Sequence, residues 1–333
     1  MVAGSILIES IDSKLFDIEN HIISITAKMK NKEPIVIDLN QEGPCATAAG
    51  LFFILDNLCD IFNYKKSDIT IYTGNLLEIS NNYNIKIYPS RKFGFYQQVR
   101  KNLQPYTETK TFNKEFKHFG SFVSRINWQR LWISSKLYSK YKEKTLMSFH
   151  YDKNNSYHLS SVLGLETIFN YNLQFNDKFQ IDDLFQLLKN SPIKLSEKTE
   201  QYPLLTPENL DLAIYYKDFF VEIVYETYFS GNTFFPTEKI FRPIAYKTPF
   251  IVQGPRGFLD NMIKRGFKTF DKWWSEIYQD FTKLPTDCEI EWSTFEILKL
   301  IDSLANYDVK DLEEIYNDMK PTIEHNYELL LNG

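Results

Sequence analysis

Residues 34–73 read PIVIDLNQEGPCATAAGLFFILDNLCDIFNYKKSDITIYT, and their pattern establishes the fold class. The short apolar run from Pro34 to Leu39 is typical of a buried strand and is followed by polar loop residues. Apolar residues at helical spacing come next, including Leu51, Leu55 and Leu58. A second strand-like run, from Ser67 to Thr73, ends the stretch. The order strand, loop, helix, strand predicts a parallel α/β sheet.

A second α/β unit begins near His118. Its elements are predicted from the same periodicities, as strands over 119–124, 145–150, 218–225 and 248–252 and helices over 128–142 and 237–247. Two units of similar size predict two Rossmann-like domains that face a cleft.

The domain boundary is predicted within the polar stretch 105–116, which has the composition of a linker. The first domain then covers residues 1–115 and the second covers residues 116–290. The remaining residues, 291–333, are charged and helical in pattern, so we expect a helical C-terminal segment.

Composition excludes several classes of protein. The 333 residues are 43% hydrophobic and 24% charged with a net charge of −5, which is the profile of a globular chain. Three cysteines are too few for a disulfide framework. Structural zinc is not expected either, because the sequence has no closely spaced group of Cys and His residues. No apolar run approaches the roughly 18 residues of a membrane helix. We therefore expect a cytoplasmic protein, in a host cell if viral, with no membrane partner.

Positive charge is concentrated in residues 91–144, which hold 13 Lys/Arg against 3 Glu. Aromatic residues are interleaved with these charges. A basic, aromatic stretch is one pattern of nucleic-acid binding, and a solvated helix face is the alternative.

The densest polar group is YETYFSGNTFFPTEKIFR, residues 225–242. A strand ends at Glu226, and Pro236 can begin a helix whose first turn holds Thr237, Glu238 and Lys239. Free N–H groups at a helix start bind anions, and the lysine adds a positive charge. A carboxylate can accept hydrogen bonds from two vicinal hydroxyls. This arrangement suits a nucleotide-sugar diphosphate, and a capped helix with an ordinary surface Glu-Lys pair is the alternative.

These residues resemble the donor-binding signature of the α1,3-fucosyltransferases, with Tyr-Glu-Thr at 225–227, Thr-Glu-Lys-Ile at 237–240 and a Pro-led strand ending at Gly254. An earlier segment, residues 121–130 followed by Tyr141-Lys142, is similar to the same family in order and spacing. The resemblance covers residues 119–256 and extends to glycosyltransferase-like proteins of phages and environmental viruses.

The resemblance implies a glycosyltransferase of the GT-B type, with acceptor-side and donor domains. Lys239 and Arg130 would hold the donor pyrophosphate, and Glu238 would hold the ribose. The other candidates for donor binding are Glu226, Thr227, Thr237 and Arg125. The family's Asn-Ser after the glutamate is Thr227-Tyr228 here, and an insertion follows, so the donor need not be GDP-fucose.

The expected reaction is inverting transfer with the nucleotide sugar as co-substrate and no other cofactor. No metal is expected, because the chain contains no Asp-x-Asp motif to hold one on the diphosphate. The acceptor is left open between a glycan and a hydroxymethylated base in phage DNA. Glu42, in the loop after the first clear strand, is the first candidate for the general base, and His150 is the second. Asp152 follows the same strand as His150 and is expected to face the same cleft, and His118 is a weaker candidate. The competing hypothesis is a non-catalytic phage protein that binds nucleic acid on the same fold.

Overall fold

The computed structural model describes residues 5–8, 18, 21–39, 43–47, 49–80, 82–88, 105–124, 126–151, 181–195, 212–229, 231–280 and 289–332. Two four-stranded sheets, all parallel, are flanked by helices, so the fold is α/β as predicted. The pair of parallel sheets is compatible with two Rossmann-like domains.

The first sheet has the strand order β1-β2-β3-β4. Its elements are β1 (Ile6–Leu7), α1 (Ile22–Lys30), β2 (Ile35–Asp38), α2 (Leu51–Phe62), β3 (Ile69–Thr73) and β4 (Asn84–Ile87). Side chains at alternate positions of β3 are buried, which matches a strand with one face on a core. The core consists mainly of Ile and Leu side chains from these strands and from α1 and α2.

Helix α2 begins later than the apolar pattern alone indicates. The pattern extends back to Ala46, but the helix starts at Leu51 because Gly50 has a φ of +75°. That left-handed conformation is open to glycine and interrupts a right-handed helix. The preceding described residues therefore form turns.

The second sheet has the strand order β6-β5-β7-β8. Its strands are β5 (Lys117–Val123), β6 (Thr145–Phe149), β7 (Phe219–Tyr225) and β8 (Phe250–Gln253). The accompanying helices are α3 (Trp128–Lys140), α4 (Ile181–Lys189), α5 (Glu238–Ala245), α6 (Phe258–Ile263), α7 (Glu289–Leu304) and α8 (Val309–Asn332). The predicted strands and helices of this part, including the helical C-terminal segment, are confirmed to within a few residues.

The connections of the second sheet run in opposite directions from its two central strands. From β5 the chain passes through α3 to β6, and from β7 it passes through α5 to β8 on the other side. Right-handed crossovers in opposite directions place their helices on opposite faces of a sheet. The C-terminal ends of β5 and β7 therefore form a topological switch point, where open α/β sheets bind ligands.

The chain divides into two compact units. The first contains residues 1–98, 227–237 and 254–261, and the second contains residues 99–226, 238–253 and 262–333. The described part of the polar stretch 105–116 belongs to the second unit, where Thr111 N donates to Lys217 O at 2.8 Å. Among the described residues, no helix is both long and apolar enough to cross a membrane.

Candidate functional site

Helix α3 brings Arg130 to the C-terminal end of the second sheet. The helix begins directly after Asn127, whose side-chain oxygen accepts a hydrogen bond from Arg130 N at 3.1 Å. Asparagine is a favoured residue at this capping position, since its side chain satisfies a backbone N–H that has no helical partner. The cap fixes the start of α3 and, with it, the backbone of Arg130.

The Arg130 side chain is buried at 7% exposure and joins α3 to the end of β7. Its Nη2 donates to the carbonyl oxygen of Glu226 at 2.9 Å and to that of Tyr225 at 3.4 Å. The arginine therefore joins the first turn of α3, the helix that follows β5, to the end of β7 at the switch point.

Glu226 and His150 lie where neighbouring strands end. Glu226 is buried, and its backbone N donates to Gln253 O at 3.0 Å, which continues the pairing of β7 with β8. His150 N donates to Val123 O at 3.0 Å in the same way beside β5. Both predicted residues are thus at the C-terminal edge of the second sheet, and His150 is partly exposed there.

The first turn of α5 carries an ion pair between adjacent residues. Lys239 Nζ lies 2.9 Å from Glu238 Oε1, and both side chains are mostly buried. Burial alone would raise the pKa of Glu238, but the charge and hydrogen bond of Lys239 outweigh it, so the pKa is lowered. The carboxylate is ionised at neutral pH, as a hydrogen-bond acceptor for hydroxyl groups requires.

The other predicted donor residues are placed as follows. Thr227 and Thr237 lie in the first unit, each next in sequence to a residue of the second unit. Thr237 is buried and Thr227 is partly exposed. Glu42, Arg125 and Asp152, the remaining candidates, lie outside the described residues.

The first unit contains a buried carboxyl group that the sequence analysis did not select. Glu78 follows β3 and is 7% exposed. Its Oε2 accepts hydrogen bonds from Ala46 N at 2.9 Å and from Asn75 Nδ2 at 3.0 Å. Burial raises the pKa of Glu78, although these two bonds oppose the shift. A carboxylate three residues beyond the strand-ending Gly74-Asn75 was the signal that could have revealed it.

Asn75 holds this region of the first unit together. Its side-chain oxygen accepts from Leu77 N and Phe234 N, both at 3.0 Å, while its Nδ2 also donates to Asn232 O at 3.1 Å. The loop that follows β7 is therefore bound to the loop that follows β3. Since β3 ends there, Glu78 lies at the C-terminal edge of the first sheet.

Two basic features lie at the opposite edge of the second sheet. His118 is inside β5 rather than before it, and its Nε2 lies 2.9 Å from Tyr307 O, a buried contact that fits a structural role. A cavity of about 650 Å³ is lined by Lys140, Lys142 and Lys144, which precede β6. These lysines belong to the basic block but stand at the N-terminal edge of the strands.

Within the described ranges, no three His, Cys, Asp or Glu side chains are grouped closely enough to hold a metal ion. In the comparisons with known proteins, no protein-family model, no curated protein and no solved structure matches this chain.

Proposed function

We propose that this protein is a nucleotide-sugar-dependent glycosyltransferase of the GT-B type, working by inversion and without a metal. The observation that carries the proposal is the bond between Arg130 and the Glu226 carbonyl at the switch point of the second sheet. A buried guanidinium there, together with the Glu238–Lys239 turn on the helix after β7, fits the binding of a ribose and a pyrophosphate. The motif resemblance of residues 119–256 supports the same assignment.

In this proposal, cationic groups stabilise the leaving nucleoside diphosphate in place of a metal. Arg130 and Lys239 offset the charge that develops on the phosphate oxygens, together with the positive end of the α5 helix dipole. Glu238 accepts hydrogen bonds from the ribose hydroxyls. Glu226 and Thr227 line the nucleotide or sugar pocket, with Thr237 and Arg125 as further donor contacts.

The acceptor hydroxyl must lose a proton as its oxygen attacks the anomeric carbon. We propose that Glu78 accepts this proton, because it is a carboxyl group at the C-terminal edge of the first sheet and its burial makes it a stronger base than an exposed carboxylate. Glu42 and His150 remain the alternatives. The oxygen–carbon bond forms as the bond from the anomeric carbon to the diphosphate oxygen breaks.

The acceptor is either a glycan or a hydroxymethylated DNA base. A basic surface would favour DNA, but the described lysines Lys140, Lys142 and Lys144 are at the edge of the sheet remote from Arg130 and Glu226. This placement favours the glycan for the described part of the chain. The first part of the basic block, residues 91–104, lies outside the described residues.

The direct test is the release of nucleoside diphosphate from a panel of UDP, GDP and CDP sugars, each offered with oligosaccharide and with hydroxymethylcytosine duplex. Transfer with one donor is expected. Binding of none of the nucleotides, with salt-sensitive DNA binding instead, would favour the non-catalytic alternative.

A further inference from the structure

The second unit contains an ionic network that the proposed chemistry does not use. Glu222 lies within β7 at 0% exposure and is ion-paired with Arg242 of α5, which is 3% exposed. Tyr216 Oη also donates to Glu222 Oε2 at 2.6 Å. The Arg242 guanidinium is 5.4 Å from the centre of the Phe122 ring, so an aromatic face covers it.

Lys110 joins the network from the polar stretch before β5. Its Nζ donates to Tyr216 O at 2.7 Å, Phe219 O at 2.6 Å and Thr248 Oγ1 at 2.7 Å. Desolvation holds the pKa of this lysine well below its usual value, although the charge of Glu222 opposes the shift. The start of β7 and the turn after α5 are thereby bound to one buried amine.

Buried ion pairs are poor sources of stability, because removing two charges from water costs about as much as their attraction returns. They are sensitive to geometry, since a displaced partner leaves an uncompensated charge in the interior. The pair of Glu222 and Arg242 therefore restricts where α5 can lie along β7.

Helix α5 needs such a restraint more than an ordinary helix does. It has only eight residues, Glu238–Ala245, and contains Pro243. Proline has no N–H to donate to the carbonyl four residues earlier, which here belongs to Lys239, and its ring crowds that carbonyl. The turn that carries Glu238 and Lys239 is thus weakly held by the helix itself.

We propose that Glu222 and Arg242 are positioning residues that hold the Glu238–Lys239 turn in place for the donor. Arg242 is one helical turn beyond Glu238, so fixing its guanidinium on β7 fixes the first turn of α5. This inference rests on the proposed function, and neither residue need touch a substrate.

The test compares Glu222→Gln and Arg242→Lys with Lys247→Ala, which removes the ion pair with Glu324 just beyond the other end of α5. Hydrogen exchange is measured on the full chain without ligand. Exchange of the Arg242, Ile244 and Ala245 amides should become at least 10-fold faster in the first two variants and stay unchanged in the control. Unchanged exchange in folded variants would overturn the inference.

If neither variant folds, a milder variant serves in their place. Tyr216→Phe removes a single hydrogen bond to Glu222 and should give a smaller acceleration of exchange at the same amides. No acceleration in this variant would overturn the inference.

The second readout is the affinity for UDP, GDP and CDP by calorimetry, followed by steady-state kinetics with the matching sugar. In Glu222→Gln and Arg242→Lys, the dissociation constant of the nucleotide and the KM for the donor should rise about 10-fold, while the KM for the acceptor is unchanged. A merely structural role would lower the active fraction and hence kcat, with donor KM unaltered, and that result would overturn the inference. If the parent protein binds none of the nucleotides, the proposed function fails, and exchange alone decides whether the ionic pair restrains α5.

Discussion

Arg130 Nη2 donates to the carbonyl oxygen of Glu226 at 2.9 Å, so a side chain from the helix after β5 binds the end of β7. The two residues are 96 positions apart in sequence and meet at the point where the chain connections diverge. The bond gives Arg130 a structural role in addition to its proposed role in donor binding. Substitutions of this residue must therefore be judged by stability as well as by affinity.

Arg130→Ala should weaken the binding of the donor diphosphate and also destabilise the second unit. Loss of a charge-assisted contact with phosphate costs roughly 1.5–3 kcal/mol, and buried carbonyls left without a donor cost about 1–3 kcal/mol. Calorimetry with the preferred nucleotide and denaturant unfolding measure the two effects separately. Arg130→Lys keeps the positive charge without the forked geometry and should recover less than half of either loss. Parent-like affinity in Arg130→Ala would remove this residue from the donor site.

Lys239→Ala should reduce donor affinity and also lower stability. The Lys239–Glu238 pair joins adjacent, mostly buried side chains, and removing the lysine leaves the Glu238 carboxylate without this ion-pair partner. The proposed phosphate contact of Lys239 is worth roughly 1.5–3 kcal/mol, which is a change of about 10-fold to 160-fold in dissociation constant. Lys247→Ala is the matched control, since Lys247 Nζ lies 2.9 Å from Glu324 Oε2. Equal affinities in the two variants would contradict the assignment.

Local pattern was sufficient to predict the strands of the second sheet. The strand predicted over 145–150 is observed as Thr145–Phe149, and the strand predicted over 218–225 as Phe219–Tyr225. Both are apolar runs bounded by polar residues, so the signal lies within a few consecutive residues. The start of helix α2 was predicted too early, because the left-handed conformation of Gly50 makes the helix begin at Leu51 although the apolar periodicity extends further back.

The partners of the candidate site could not be predicted, because they come from distant parts of the chain. Lys110 sits in a polar stretch with the composition of a linker, yet its Nζ is bound 2.7 Å from Thr248 Oγ1. Glu78 is buried because Ala46 N and Asn75 close around it. The sequence analysis left open an ordinary surface pair of Glu238 and Lys239; the two side chains do pair, but both are mostly buried.

Sugar transfer should survive removal of divalent metals. The proposed charge stabilisation comes from Arg130, Lys239 and the start of α5, and excess EDTA removes none of these groups. The measurement is initial rate with and without EDTA after exhaustive dialysis. Manganese or magnesium added back should not raise the rate. Complete inhibition by EDTA that either ion reverses would show that a metal holds the diphosphate instead.

Acid should destabilise the second unit through His118. Burial lowers the pKa of this histidine, the bond to Tyr307 O opposes the shift, and Lys144 reinforces it. The unfolded chain therefore binds a proton at His118 more tightly than the folded protein does. The free energy of unfolding should be at its full value above about pH 6.5 and should fall as the pH drops toward the lower pKa of His118 in the folded protein. Denaturant unfolding at several pH values measures this slope. His118→Gln keeps a side-chain donor but cannot titrate, so its slope across this window should be smaller. An identical slope would assign the acid sensitivity to another group.

Glu78→Gln should leave the fold intact and reduce transfer by roughly 10²-fold or more, as loss of a general base does. The amide oxygen can still accept from Ala46 N and Asn75 Nδ2, while the cost of burying a charge disappears. The folded pKa of Glu78 is raised, so the parent loses stability relative to the variant as pH rises above about 4.3. Denaturant unfolding at pH 5 and pH 8 measures this effect. The free energy of unfolding of Glu78→Gln relative to that of the parent should be higher at pH 8 than at pH 5.

The pH dependence of kcat/KM then decides whether this carboxyl group is the base. In the parent, the acidic limb should report a pKa above that of an ordinary glutamate, and Glu78→Gln should lose that limb along with its activity. Glu33→Gln is the control, since that side chain lies in the same unit and is about half exposed. If Glu78→Gln gains stability as expected but transfers sugar at the parental rate, the proton acceptor is another group, and Glu42→Gln and His150→Ala become the next variants to measure.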